Sequence, residues 1–280
     1  AIDMDSYRVE MRSSMDIILA DQNGIVDPVP TIGGGHKPAS MISRMVKEAE
    51  FRRGDYAIVL PMASGAPLLA INEMKSSLSN AGINDCFGIN FNQASVNDPA
   101  RIDSVKNARL IFLSGGDQNR FMNIVENTPV ESAIKTALSN GALVAGTSAG
   151  AAMMSKIMLT GNQLKDTVYS PTFKEIITDN VEIATGLGLL VNAIVDQHFL
   201  IRSRHNRLLT AICEYPGNVG IGIDESTALL VKGKIGTVVG ESQVLVYRLN
   251  SKPKIGRNGK FSVANIRTEL YTEGESFKIK

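Results

Sequence analysis

The chain has 280 residues, of which 44% are apolar and 20% charged, with a formal net charge of +1. That composition supplies a large core and excludes a globally disordered chain. The near-zero charge offers no basic excess for nucleic acid or an anionic membrane surface, and no apolar run approaches the roughly 20 residues a membrane helix needs.

Residues 1–30 give weak signals, with a short strand at Ile17–Ala20 the clearest. They read as a weakly defined lead-in to a single α/β domain spanning 1–280. The chain opens at Ala1 with no basic segment and apolar stretch ahead of the fold, which leaves a cytoplasmic and an exported location equally open. Gly33, Gly34 and Gly35 predict a loop, and Pro38 opens a helix carrying Met41, Ile42, Met45, Val46 and Ala49 at helical spacing up to about Arg53. Tyr56–Met62 is a continuous apolar run with β-branched members, the pattern of a buried parallel strand. Pro67 starts a second helix that Asn80, Ala81 and Gly82 end, and Cys86–Phe91 reads as a strand.

Arg109–Leu113 predicts the next strand, running into the loop Ser114-Gly115-Gly116-Asp117-Gln118. Glu131–Asn140 is helical, and Ala142–Ala145 is a further strand. Alternation of this kind predicts a mostly parallel, doubly wound sheet with helices on both faces and functional loops at the carboxyl ends of its strands. Farther on, Asn192–Asp196, Val219–Asp224 and Thr227–Val231 read as strands and Ser203–Glu214 as a helix. The glycine-punctuated tail from Gly233, with a turn at Asn258-Gly259, predicts antiparallel strands closing the sheet edge.

The most informative segment is Gly146-Thr147-Ser148-Ala149-Gly150, placed between the Ala142–Ala145 strand and a run of small residues. A Gly-x-Ser-x-Gly at a strand-to-helix joint is the pattern of a nucleophile elbow, in which a sharp turn exposes one hydroxyl at a helix start. Flanking glycines leave space for that turn, and free N–H groups at the helix start suit a developing oxyanion. A serine nucleophile needs a base, and the base needs an orienting group. Three histidines are present. His198 follows a strand and so shares the rim with Ser148; His36 sits in a loop after the glycine triplet; His205 lies between arginines on what reads as a solvent-facing helix position. His198 is the preferred base. Glu225, at the end of a strand, is the preferred orienting acid, with Asp224 and Asp196 as rivals. Arg202, Arg204 and Arg207 follow His198 closely, and three guanidiniums suit carboxylates through forked hydrogen bonds. Gln118 offers an amide for a substrate carboxylate or amide, and Gly116 and Ala149 offer N–H groups for an oxyanion hole. The order Ser, His, Glu departs from the Ser, Asp, His order of α/β-hydrolases. Two cysteines, Cys86 and Cys213, give no disulfide framework, and no ligand spacing suggests zinc.

Several segments together resemble the S51 peptidases, the family of cyanophycinases and aspartyl dipeptidases, and the cyanophycinase branch most. They are Ile32-Gly33-Gly34-Gly35, Pro61-Met62-Ala63-Ser64, the Ser114–Gln118 loop, the Gly146–Ala151 elbow, the block from Asp196-Gln197-His198-Phe199 through Arg202, Arg204 and Arg207 to Leu208, Gly220–Glu225 with Ala228, and Thr272–Phe277 near the end. The resemblance implies a class I glutamine-amidotransferase-like α/β fold with C-terminal antiparallel strands, and serine-type peptide hydrolysis without a metal or organic cofactor. It implies Ser148, His198 and Glu225 as catalytic residues, and Gln118, Asp196, Arg202, Arg204 and Arg207 around a peptide or polymer rich in aspartate and arginine, with Asp196 either holding the arginyl group or anchoring Arg202 to Arg207. It implies a homodimer. On this resemblance the substrate is cyanophycin, a poly-aspartate with arginine on its β-carboxyls, cut to β-aspartyl-arginine. A narrower aspartyl dipeptidase and a non-catalytic homologue are the alternatives. His36 stands where the family more often has an acid, and Met62 where it has threonine.

Overall fold

The computed structural model describes residues 31–32, 37–165, 168, 170 and 172–279. The weak N-terminal signals, the glycine triplet and His36 lie outside the described residues. In chain order the elements are β1 (Thr31–Ile32), α1 (Ala39–Ala49), β2 (Ala57–Leu60), α2 (Pro67–Asn80), β3 (Cys86–Gly88), α3 (Pro99–Lys106), β4 (Leu110–Leu113), α4 (Gln118–Val125), α5 (Pro129–Ser139), β5 (Leu143–Thr147) and α6 (Ala149–Ala152). They continue with β6 (Ile157–Gln163), β7 (Val181–Thr185), β8 (Ala193–Asp196), α7 (His205–Glu214), β9 (Val219–Ile223), β10 (Thr227–Lys232), β11 (Ile235–Gly240), β12 (Val244–Leu249), β13 (Lys254–Ile255), β14 (Phe261–Ser262), β15 (Ile266–Tyr271) and β16 (Ser276–Lys278).

The main sheet has eight strands in the order β16-β11-β10-β1-β5-β4-β2-β3. The pairs β1–β5, β5–β4, β4–β2 and β2–β3 are parallel, while β10, β11 and β16 join antiparallel. Strands β2, β4 and β5 are buried at every position, as their continuous apolar runs require. This is the mostly parallel, doubly wound α/β fold. Around it α1 packs beside α2, and α3 and α4 pack on α5. Met41, Ile42, Met45 and Ala49 form the inner stripe of α1. That helix ends at Ala49 rather than near Arg53, because Glu50 turns left-handed with φ 48°.

The tail divides in a way the sequence does not show. β10, β11 and β16 close the edge of the main sheet as expected. β15, β12, β9 and β8 form a separate four-stranded sheet in which β8 and β9 are parallel. A second apolar cluster lies against it, with Phe173, Ile194, Phe199, Leu208 and Ile212 fully buried. β6 and β7 pair antiparallel with a bulge between Leu159 and Gln163. The chain runs from β9 of the small sheet into β10 of the main one through Asp224, Glu225 and Ser226, so the two sheets meet at that junction.

Candidate active site

Three chain segments converge at the carboxyl ends of β5, β8 and β9. The elbow comes first. Ser148 follows β5 with φ 51° and ψ −109°, a backbone state a β-carbon disfavours and one characteristic of functional sites. The turn closes because its glycines pack without side chains. A Cβ on Gly146 would lie 2.4 Å from the Gly150 carbonyl oxygen, and one on Gly150 would lie 2.5 Å from that of Leu113. The helix that follows is a single turn, Ala149–Ala152, whose first N–H groups have no intrahelical acceptor. Gly115 faces the serine directly, since a Cβ there would be 3.1 Å from that of Ser148. Gly116, with φ +132°, passes close over the Ala63 carbonyl.

His198 is held from two sides. Its own backbone is left-handed, with φ 48°. The next residue, Phe199, donates its N–H to Ile223 O at 3.1 Å and buries its ring against β9. Gly222 makes that possible, because a Cβ there would sit 2.3 Å from the ring. Ser148 Oγ lies 2.9 Å from His198 Nε2, and His198 Nδ1 lies 2.6 Å from Glu225 Oε1. His198 is 2% exposed, whereas Ser148 and Glu225 are half-buried. Burial lowers the His198 pKa from its ordinary 6.5, and Arg202, Arg204 and Arg207 lower it further, so the imidazole is neutral near pH 7. Burial raises the Glu225 carboxyl, Asp224 adds to this, and Arg202 and Arg204 oppose it. Hydroxyl, neutral imidazole and carboxylate thus stand in a hydrogen-bonded row, the arrangement that activates a serine.

The sequence model of peptidase family S51 matches residues 32–239. The chain belongs to peptidase family S51. It is similar to the cyanophycinase of Trichormus variabilis, with 36% identity over 178 residues that cover 60% of this chain and 56% of the relative. It is also similar to the cyanophycinase of Geminocystis herdmanii, with 29% identity over 230 residues, 79% of this chain and 82% of the relative. The match thus spans little more than half the length of the first relative. Among solved structures, a peptidase from an acI-B1 actinobacterium superposes with a TM-score of 0.67 at 19% identity, covering 92% of this chain and 98% of that one. A putative peptidase E from Listeria monocytogenes EGD-e gives 0.51 at 16% identity, covering 78% and 100%. These two support the fold.

In this S51 chain the remaining candidate residues take different parts. Asp196 lies inside the arginine block. Its side chain is fully buried. It accepts Arg207 Nε on Oδ2 at 2.8 Å and Arg207 Nη2 on Oδ1, with Gln197 N also on Oδ1 at 2.8 Å. Arg204 is buried too and donates from Nη1 to the Gln197 backbone oxygen and to Gln197 Oε1, each at 2.6 Å. Arg202 is half-buried and has no ion pair among the described residues, so it is the most available of the three guanidiniums.

The rival acids are both committed elsewhere. Asp224 Oδ1 accepts the Leu200 and Ile201 N–H groups at 3.1 Å, and its Oδ2 accepts Ser242 Oγ at 2.8 Å. Gln118 is the first residue of α4 and is buried. Its Nε2 donates to Leu159 O at 2.8 Å and Thr160 O at 2.7 Å. Both amide protons are spent on these carbonyls, which leaves Oε1 as the acceptor. His205 does not face solvent. It is half-buried, shares a hydrogen bond of 2.7 Å with Tyr247 Oη and stands edge-on to Phe199. The sequence reading missed the β6 carbonyls that orient Gln118; the one local signal for them is Gly161, which marks the bulge with φ +100°. No helix of the described residues is long and apolar enough to cross a membrane.

Proposed function

We propose that this protein is a serine exopeptidase that hydrolyses cyanophycin to β-aspartyl-arginine through an acyl-enzyme. The observation that carries the reading is the Ser148–His198–Glu225 row, with links of 2.9 and 2.6 Å. Membership of family S51 and the cyanophycinases among its relatives supply the reaction and substrate class.

In the proposed mechanism His198 Nε2 takes the Ser148 proton as Oγ attacks the scissile carbonyl carbon. Glu225 holds the Nδ1 proton, fixes the tautomer and stabilises the imidazolium. The N–H groups of Ala149 and Gly116 hold the oxyanion beside Ser148. His198 then returns its proton to the leaving amine. Water, deprotonated by the same imidazole, attacks the ester, and the acid product leaves with Ser148 restored. Arg202 is placed to receive a substrate carboxylate, with Arg204 and Arg207 behind it adding positive potential.

The test is incubation with purified cyanophycin and mass spectrometry of the products. Release of β-aspartyl-arginine, absent from Ser148→Ala protein, is expected. An untouched polymer alongside cleaved small aspartyl dipeptides would replace the substrate with that of a dipeptidase. No cleavage of either would end the hydrolase reading.

A further inference from the structure

An arginine-bearing substrate brings a cation, and the acids on the loops around Ser148 are mostly committed. Glu225 serves His198, Asp196 serves Arg207, Asp224 holds the 200–201 turn, and Asp117 caps α4 through the Asn119 and Arg120 N–H groups. Glu182 on β7 is different. Its Oε2 accepts Thr160 Oγ1 at 2.5 Å and Asn162 Nδ2 at 2.8 Å, while its Oε1 has no hydrogen bond among the described residues.

Thr160 ties this carboxylate to the active-site rim. The same residue whose hydroxyl holds Glu182 gives its carbonyl to Gln118 Nε2. Strand alternation fixes the direction. Val181 and Ile183 face the small core, whereas Ala184 packs on the main core, so Glu182 shares the face of Ala184. The bulge between them carries Gly161 up to Arg207, where an added Cβ would be 3.4 Å from Nη1. One short stretch of β6 thus binds Gln118 through the Leu159 and Thr160 carbonyls and Glu182 through the Thr160 hydroxyl, leaving the Oε1 atom of each uncommitted among the described residues, and passes Arg207 at Gly161. Both Oε1 atoms are acceptors, and one is charged.

We infer that Glu182, with Gln118 Oε1, forms the receptor for the substrate's guanidinium and so selects arginine-bearing aspartyl peptides. A planar guanidinium presents a fork of N–H donors, which two neighbouring acceptors satisfy and a single-point site does not. Strands β6 and β7 thereby supply specificity, while the elbow supplies reactivity. This inference rests on the peptidase reading of the same site and deepens it.

Binding separates the two claims. Ser148→Ala protein is titrated calorimetrically with β-aspartyl-arginine and with β-aspartyl-citrulline, its neutral near-isostere. The arginine form should bind at least tenfold tighter. Adding Glu182→Gln should bring the two affinities within about threefold by weakening only the arginine form, with circular dichroism unchanged. Glu182→Asp keeps the charge, withdraws it by one methylene and should give an intermediate preference. Equal affinities in the Ser148→Ala protein, or a preference that survives both substitutions, would overturn the assignment. Polymer turnover by the intact serine tests the peptidase reading separately, so either claim can fail without the other.

Discussion

His198 and Glu225 meet because their strands are parallel neighbours. Asp196 of β8 pairs with Gly222 of β9, so the residues two and three places beyond that rung leave the small sheet on the same side. The Nδ1 to Oε1 contact of 2.6 Å follows from this register. Ser148 arrives from the other sheet, at the end of β5. The proposed triad therefore straddles the junction of two sheets, and its geometry depends on how they dock.

Ser148→Ala removes the nucleophile without touching a buried contact that the fold needs. Turnover should fall by about 10⁴-fold or more, while the thermal midpoint stays close to that of the unsubstituted protein. Substantial remaining turnover in a rigorously purified sample would refute the acyl-enzyme.

Glu225→Gln keeps the shape and removes the charge that fixes the imidazole tautomer. A loss of about 10⁴-fold in kcat is expected, with KM little changed. Asp224→Asn, which weakens the cap on the Leu200 and Ile201 N–H groups, should lower stability more than it lowers kcat. The reverse ranking would move the orienting role to Asp224.

The pH profile follows from the lowered His198 pKa. An imidazole that resists protonation remains a base below its ordinary 6.5. The acid limb of kcat/KM should therefore fall below pH 6.5, and a limb centred at or above that value would contradict the burial argument. The same group acts on stability. Below pH 6.5 the unfolded chain takes up a proton that the native state refuses, so native stability declines as pH falls through that range.

Asp196→Ala leaves the Arg207 guanidinium buried without its carboxylate. Breaking a buried pair from one side costs about 3–5 kcal/mol, which urea unfolding would register. Replacing both partners with apolar residues, as in Asp196→Leu with Arg207→Met, should restore much of that stability. A neutral Asp196→Ala would mean that Arg207 finds another partner.

Gly222→Ala introduces a methyl 2.3 Å from the Phe199 ring. Overpacking of this kind costs about 1–3 kcal/mol. Because Phe199 follows His198 directly, kcat should fall although no atom of the triad is altered. Unchanged kinetics would show that the 198–199 turn tolerates displacement of the ring.

The sequence by itself determined whatever is local. The apolar runs of β2, β4 and β5, the limits of α2 from Pro67 to Asn80, and the elbow at Ser148 all follow from short-range sterics and burial patterns, and each is present in the structure. Tertiary structure alone decided the rest. Sheet membership of the tail depends on which strands pair across long separations, and residues 219–249 carry no mark of dividing between two sheets. The β6–β7 pair escapes a periodicity reading because a bulge breaks its alternation and a long connection separates its strands. Arg204 and Arg207 read, with Arg202, as guanidiniums for substrate carboxylates, and nothing in their spacing tells that these two are buried against Asp196 and Gln197. Burial of charge is a property of the partner, and a partner is supplied only by the fold.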